Sequence, residues 1–272
     1  MTAPAPLIGS FTPVHRGGSG SPLVLLHGFT DTWRTWELVL PWLEERHDVL
    51  APTLPGHAGG PPLPARLTDD VMADAVERAM DDAGMRSAHI AGNSLGGYLA
   101  LQLAARGRAR TVVALAPAGG SARGDTAHRE TLAHFTTMRE ALRTAAPYAD
   151  ALVATPEGRR RATRMITERF EHIPAELLAH LIRGVAACDG AEALIAYAGR
   201  AGWPLDASRV DCPVRVIWGT NDRLLPWPAA AAGFLRGGLP QADWVELEGV
   251  GHCPQLDVPL ETAQLILGFT GG

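Results

Sequence analysis

A serine sits between glycines in Gly92-Asn93-Ser94-Leu95-Gly96-Gly97, after a short apolar run (Ala88–Gly92) and before a segment of helical period (Leu95–Arg106). Small residues two before and two after the serine permit a sharp strand-to-helix turn that lifts the hydroxyl clear of a sheet edge. The turn also sets Ser94 at a helix N-terminus, where the dipole and free N–H groups favour developing negative charge. A serine hydroxyl is a poor nucleophile at neutral pH and needs an adjacent base. Of the ten histidines, His252 is the best placed, in the glycine-flanked loop Gly249-Val250-Gly251-His252-Cys253-Pro254. The base in turn needs an acid to fix its tautomer and to stabilise the imidazolium. Asp222, in Gly219-Thr220-Asn221-Asp222-Arg223 after the apolar run Val214–Gly219, is the first candidate; Asp125 is the runner-up and Asp257 a distant third.

The chemistry such a set performs is acyl transfer through a tetrahedral intermediate, whose oxyanion needs two donors. The backbone N–H of Leu95 supplies one, and the N–H of Phe29, in the loop after His27, supplies the second. His27 reads as a structural hydrogen-bonding residue near the site and His57 as a turn residue. His128 with His134, and His172 with His180, lack the spacing of a metal site. Cys253, next to the base, reads as inert packing.

Composition removes other mechanisms. All 24 positive residues are arginine, so a P-loop lysine, a Schiff-base lysine and a Ser-Lys dyad are absent from the chain. A net charge of -5 carries no footprint for nucleic acid. No run approaches the roughly 18 unbroken apolar residues of a membrane span, and residues 1–13 lack the pattern of a secretory signal. Three widely spaced cysteines do not form a disulfide framework, which favours a reducing cytoplasm.

The elements that must position these residues follow from periodicity. Pro22–His27, Val49–Leu54, Ala88–Gly92, Thr111–Pro117, Val214–Gly219 and Trp244–Leu247 have strand length and β-branched content. Trp33–Glu45, Asp69–Ala83, Leu95–Arg106, Ala229–Leu235 and Pro259–Phe269 between them read as helices. This alternation predicts an α/β fold with a mostly parallel, doubly wound sheet. Residues 119–204 break the rhythm with helical stretches alone, predicting a cap (lid) inserted into a core formed by residues 1–118 and 205–272. The stripes Phe135/Met138/Leu142 and Leu178/Leu181/Ile182/Val185 read first as packing faces. The cap also holds the densest positive cluster, Arg159–Arg161 with Arg164, which reads as a solvated helix face or as an anchor for an anionic substrate tail.

With the order Ser94, Asp222, His252, the chain resembles the α/β-hydrolase fold superfamily. The resemblance is carried by His27-Gly28-Phe29, Pro55-Gly56-His57, Gly92–Gly97, Gly219–Asp222 and Gly251-His252, and spans Leu23 to Phe269. It implies a sheet of about eight strands with a helical lid, and hydrolysis of an ester, amide, thioester or lactone without cofactor or metal. Two departures stand out. There is room for about one strand before Pro22 where relatives often have two, and Thr53-Leu54-Pro55 replaces a commonly acidic position. Carbon–carbon hydrolases of ring-cleavage products, cofactor-free perhydrolases and non-catalytic small-molecule receptors share the constellation. Dehalogenases and epoxide hydrolases are disfavoured because Ser94 stands where a nucleophilic Asp would. The expected ligand is a small to medium acyl or aryl ester in a pocket near Trp33, Phe135, Met138, Tyr148 and Leu224.

Overall fold

The computed structural model describes residues 11–120, 126–202, 205–234, 238–239 and 241–271. Seven strands form one sheet: β1 (Val14–Gly17), β2 (Ser21–Leu26), β3 (His47–Pro52), β4 (Ala88–Asn93), β5 (Ala109–Leu115), β6 (Val214–Gly219) and β7 (Asp243–Leu247), in the order β1-β3-β2-β4-β5-β6-β7. Only β1 is antiparallel, paired with β3 from Val14↔Pro52 to Gly17↔Val49; the other pairs are parallel. The described residues thus hold seven strands where about eight were expected. The short stretch before Ser21 supplies β1 alone, and residues 1–10 lie outside the described set.

Alternation along the strands divides the core into two layers, as expected when a parallel sheet is covered on both faces. Val24, Leu26, Leu50, Ile90, Val112 and Val216 face one side and pack under α2 (Val71–Asp82) and α3 (Leu95–Ala105). Leu23, Leu25, Val49, Ala91, Val113 and Ile217 face the other. There they pack against the 3₁₀ turn Trp33–Trp36, α1 (Leu40–Leu43) and the C-terminal helix Pro259–Thr270. The predicted helix Trp33–Glu45 is therefore two short pieces. Thr32 caps the first by accepting from the Arg34 N–H, and Pro41 lies at the start of the second, where its missing N–H costs nothing. α2 buries Met72, Val76 and Met80 at four-residue spacing, whereas α3 is buried nearly all round, as a central helix must be.

Between β5 and β6 the described residues contain only helices: α4 (Thr126–Ala145), α5 (Ala149–Val153), α6 (Pro156–Thr163), α7 (Ala175–Ala186) and α8 (Ala191–Ala201), with short 3₁₀ turns. They have a core of their own, in which Val153, Leu177, Leu178, Ile182 and Ile173 pack with Leu256 and Cys253. The chain then ends in α9 (Pro254–Asp257) and α10 (Pro259–Thr270). Among the described residues no helix is long and apolar enough to cross a membrane.

Backbone packs closely on backbone at the β4–α3 junction. A Cβ on Gly92 would overlap the carbonyl of Gly96, and one on Gly96 would overlap the carbonyl of Leu26 in β2. Gly96→Ala is expected to lower stability by about 3 kcal/mol or more, because backbone rather than a flexible side chain must move. Gly268, inside α10 with nothing within 4 Å of an added Cβ, provides the contrast. Gly268→Ala is expected to raise stability by about 0.5–1 kcal/mol. Urea denaturation of both variants checks the pair, and a neutral Gly96→Ala would contradict the packing argument.

Candidate active site

All the chemistry-bearing residues emerge at the carboxyl ends of strands, beside the point where the chain direction across the sheet reverses between β2 and β4. Ser94 follows β4 directly, with φ 55° and ψ -114°. That is a conformation a residue with a side chain holds only under constraint. Its N–H donates to the Leu115 carbonyl at 2.8 Å, and its carbonyl accepts from Ala118 and Tyr98 at 3.0 and 3.1 Å. The other non-glycine residues with positive φ, Thr30 (66°) and Ala116 (40°), follow β2 and β5. Backbone strain among the described residues is thus concentrated on one rim of the sheet.

His252 and Asp222 come from the loops after β7 and β6. The His252 Nδ1 lies 2.7 Å from Asp222 Oδ2, and both side chains are buried. The other Asp222 oxygen accepts from the N–H groups of Leu224 (2.8 Å) and Leu225 (2.7 Å). Three donors therefore hold the carboxylate, with Nδ1–H donating a hydrogen bond to Asp222. This leaves Nε2 as the acceptor nitrogen; it is buried and has no partner among the described residues. The two loops are also joined to each other: Asn221 N–H donates to Val250 O at 3.0 Å, and Gly249 N–H to Thr220 Oγ1 at 2.9 Å.

The other acid candidates fall elsewhere. Asp125 lies outside the described residues. Asp257 is buried, and its carboxylate is committed to three backbone amides, those of Gly251 (2.6 Å), Arg169 (2.7 Å) and Glu168 (3.0 Å). It ties the His252 loop to the segment after α6. Asn93 performs a similar task from the sheet side. Its Nδ2 donates to His252 O and Leu115 O at 3.0 and 3.2 Å, while its Oδ1 accepts from Gln255 and the Cys253 thiol. Sequence reasoning missed both roles: bonds to backbone groups impose no spacing on side chains.

Leu95 is the first residue of α3, so its N–H has no acceptor within the helix. The Gly28–Phe29 loop lies against the elbow, close enough that a Cβ on Gly28 would stand 3.5 Å from Ser94 Cβ. His27 fixes this loop. It donates from Nδ1 to the Gly28 carbonyl at 2.8 Å and accepts the Leu54 N–H on Nε2 at 2.9 Å.

A chamber of about 670 Å³ opens over Ser94 and His252. Phe135, Met138 and Leu224 line it, as does Phe29; Trp33 and Tyr148 do not. Trp33 stacks on His15 and donates to Thr12 Oγ1 at 2.8 Å, on the side of β1. Tyr148 is 70% exposed in the turn between α4 and α5. The two stripes read as packing faces also form chamber wall, with Met138 and Leu142 on α4 opposite Leu178 and Ile182 on α7. Apolar periodicity serves both purposes, and sequence alone does not separate them. Asp31, which no pattern singled out, lines the chamber as well.

Burial shapes the titration of this region. It pushes His27 well below the usual imidazole range, helped by the neighbouring His57, and holds His57 at about 4. It raises the Asp31 carboxyl to about 6 and the Cys253 thiol well above its ordinary value, leaving that thiol protonated.

Residues 23–265 match the alpha/beta hydrolase family, and the chain belongs to it. It is 31% identical over 204 residues to the epoxide hydrolase EphH of Mycobacterium tuberculosis, covering 75% of this chain and 95% of that one. It is 30% identical over 267 residues to a pimeloyl-[acyl-carrier protein] methyl ester esterase of Aromatoleum aromaticum, covering 90% and 96%. Among solved structures, a thermophilic esterase from Thermogutta terrifontis superposes with a TM-score of 0.70 at 23% identity, covering 94% of this chain and 91% of its own, which speaks to the fold.

The buried histidines set a pH dependence. Between about 6.5 and 4 the unfolded chain takes up protons that His27 and His57 refuse in the native state, so stability falls as the pH drops through that window. Asp31 acts in the opposite sense between 3.8 and about 6, since there the native state holds the proton; it is one group against His27, His57 and the similarly lowered His180. Stability in urea is expected to be lower at pH 5 than at pH 7.5 by about 2 kcal/mol. Equal stability at the two values would contradict the burial of these imidazoles.

Proposed function

We propose that this chain is a serine hydrolase that cleaves small to medium carboxylic esters through an acyl-enzyme. The observation that carries the reading is the buried His252–Asp222 pair, whose free Nε2 borders the same chamber as Ser94 on its strained elbow. Ser94 Oγ attacks the ester carbonyl while His252 Nε2 accepts its proton. The N–H groups of Phe29 and Leu95 hold the oxyanion, and Asp222 stabilises the imidazolium. Collapse of the intermediate expels the alcohol, which takes the proton back from His252. Water then repeats the sequence on the acyl-Ser94, releasing the acid and restoring the enzyme.

In this reading residues 1–118 and 205–272 form the catalytic core and residues 119–204 the cap, whose α4 and α7 roof the chamber. The chamber volume lies within the range of small-molecule pockets, and its walls are mainly apolar. A carboxylate nucleophile for opening an epoxide has no place at the elbow, which offers a hydroxyl.

Ser94→Ala is expected to lower kcat on short p-nitrophenyl esters by at least about 10³-fold. Activity within a few-fold of wild type would remove Ser94 from the nucleophile role. Across a graded acyl series, the 670 Å³ chamber predicts a maximum at short to medium chains. Turnover of 2-hydroxy-6-oxo-dienoates without ester turnover would shift the reading to a carbon–carbon hydrolase. Failure of a fluorophosphonate to label Ser94 would shift it to a receptor.

A further inference from the structure

The fold divides the positive cluster of the cap into two pairs with different surroundings. Arg159 turns back on its own segment: its guanidinium donates to the carbonyl oxygen of Ile173, with those of Glu171 and Phe170 at 3.4 and 3.5 Å. Arg160 pairs with Glu157 one turn earlier at 3.5 Å. Arg161 and Arg164 have no ion-pair partner among the described residues, and both line the chamber over Ser94 while remaining exposed.

Their placement is held by the rest of the site. The Arg164 carbonyl accepts from Arg223 Nη1 at 2.5 Å, and Arg223 Nη2 lies 2.7 Å from Glu168. The carboxylate nearest in sequence to Arg164 is thereby neutralised by another arginine. Two residues further on, Ile166 O accepts the Cys253 N–H at 2.8 Å. The segment bearing the two free guanidiniums is thus fastened to the loops that carry Asp222 and His252. The only carboxyl lining the chamber among the described residues is Asp31, on the loop beside the elbow. The remaining wall is largely apolar, with Met138, Leu142, Leu178 and Ile182 prominent.

We propose that Arg161 and Arg164 form an anion subsite at the rim of the chamber, selecting esters that carry a carboxylate at the end remote from the scissile bond. A monoester of a dicarboxylic acid has the required chemistry: an apolar methylene chain for the wall, an ester for Ser94, and a terminal carboxylate for the guanidiniums. The claim about turnover rests on the Ser94 reading; the claim about binding does not.

Two esters matched in chain length test it, mono-p-nitrophenyl adipate and p-nitrophenyl hexanoate. The wild-type protein is expected to favour the adipate in kcat/KM by about tenfold, mainly through KM, corresponding to a single charge-assisted contact. The preference is expected to shrink with added salt, because the guanidiniums are exposed. The double variant Arg161→Gln/Arg164→Gln is expected to lose the preference, and Arg160→Gln to keep it. An adipate-to-hexanoate ratio that is the same in the double variant as in wild type would overturn the subsite. A binding measurement separates this from the catalytic reading. Calorimetry of monomethyl adipate with Ser94→Ala, with and without the two arginine substitutions, is expected to show about tenfold weaker binding without the arginines. If wild type turns over neither ester, the Ser94 reading falls and the calorimetry still decides the subsite. Equal binding to both proteins would overturn it.

Discussion

Gly92 has no room for a Cβ because the carbonyl of Gly96 lies against it, and Gly96 has none because it rests on the carbonyl of Leu26. Much of the site depends on that contact. It brings the start of α3 down onto β2 and β4, and Ser94, at the turn between β4 and α3, holds a φ of 55°. The Gly28–Phe29 loop lies against the same elbow, where a Cβ on Gly28 would stand 3.5 Å from Ser94 Cβ. A looser junction would leave a serine at the head of a helix, without the geometry that makes it useful.

The second constraint is that His252 and Asp222, from separate loops, must meet on the same rim as Ser94. The parallel sheet supplies the coarse alignment, since β4, β6 and β7 all end on one rim. Fine alignment comes from side chains bonded to backbone: Asn93 holds the His252 carbonyl, and Asp257 gathers the amides of Gly251, Glu168 and Arg169. These are buried polar groups whose partners are fully determined, and such networks fix one arrangement among many apolar alternatives.

How much of this was legible in the sequence depends on what kind of signal each feature leaves. The strands are marked by continuous apolar runs, and their bounds fall within about two residues of the structure; Val214–Gly219 coincides with β6. The elbow is marked by glycines, because a close backbone approach admits no other residue. The order Ser94, Asp222, His252 could be read because each follows a strand. By contrast, Trp33 and Tyr148 are expected in the pocket from their apolar character and their place in the chain, near the Phe29 loop and in the predicted cap, but their surroundings are set otherwise, by His15 and Thr12 for Trp33 and by solvent for Tyr148. Asp257 and Asn93 were opaque for a different reason: their partners are peptide groups, which every sequence contains.

The helical segment is joined to the reaction centre by more than apolar contact. Arg223, the residue after Asp222, holds the Arg164 carbonyl; Cys253, the residue after His252, donates to Ile166; and Asp257 binds the amides of Glu168 and Arg169. Both loops of the candidate triad therefore share hydrogen bonds with residues 164–169. Displacement of that segment would break charge-assisted bonds at the base of the Asp222 and His252 loops, so the chamber wall and the candidate triad form one mechanical unit. It follows that residues 164–169 are fixed relative to the elbow. α7 is tied down as well, by His180 Nε2 to Thr32 Oγ1 at 3.0 Å and by Glu176 to Arg34 at 3.6 Å, so the chamber wall on that side is bonded to the loop after β2 and not only packed on it.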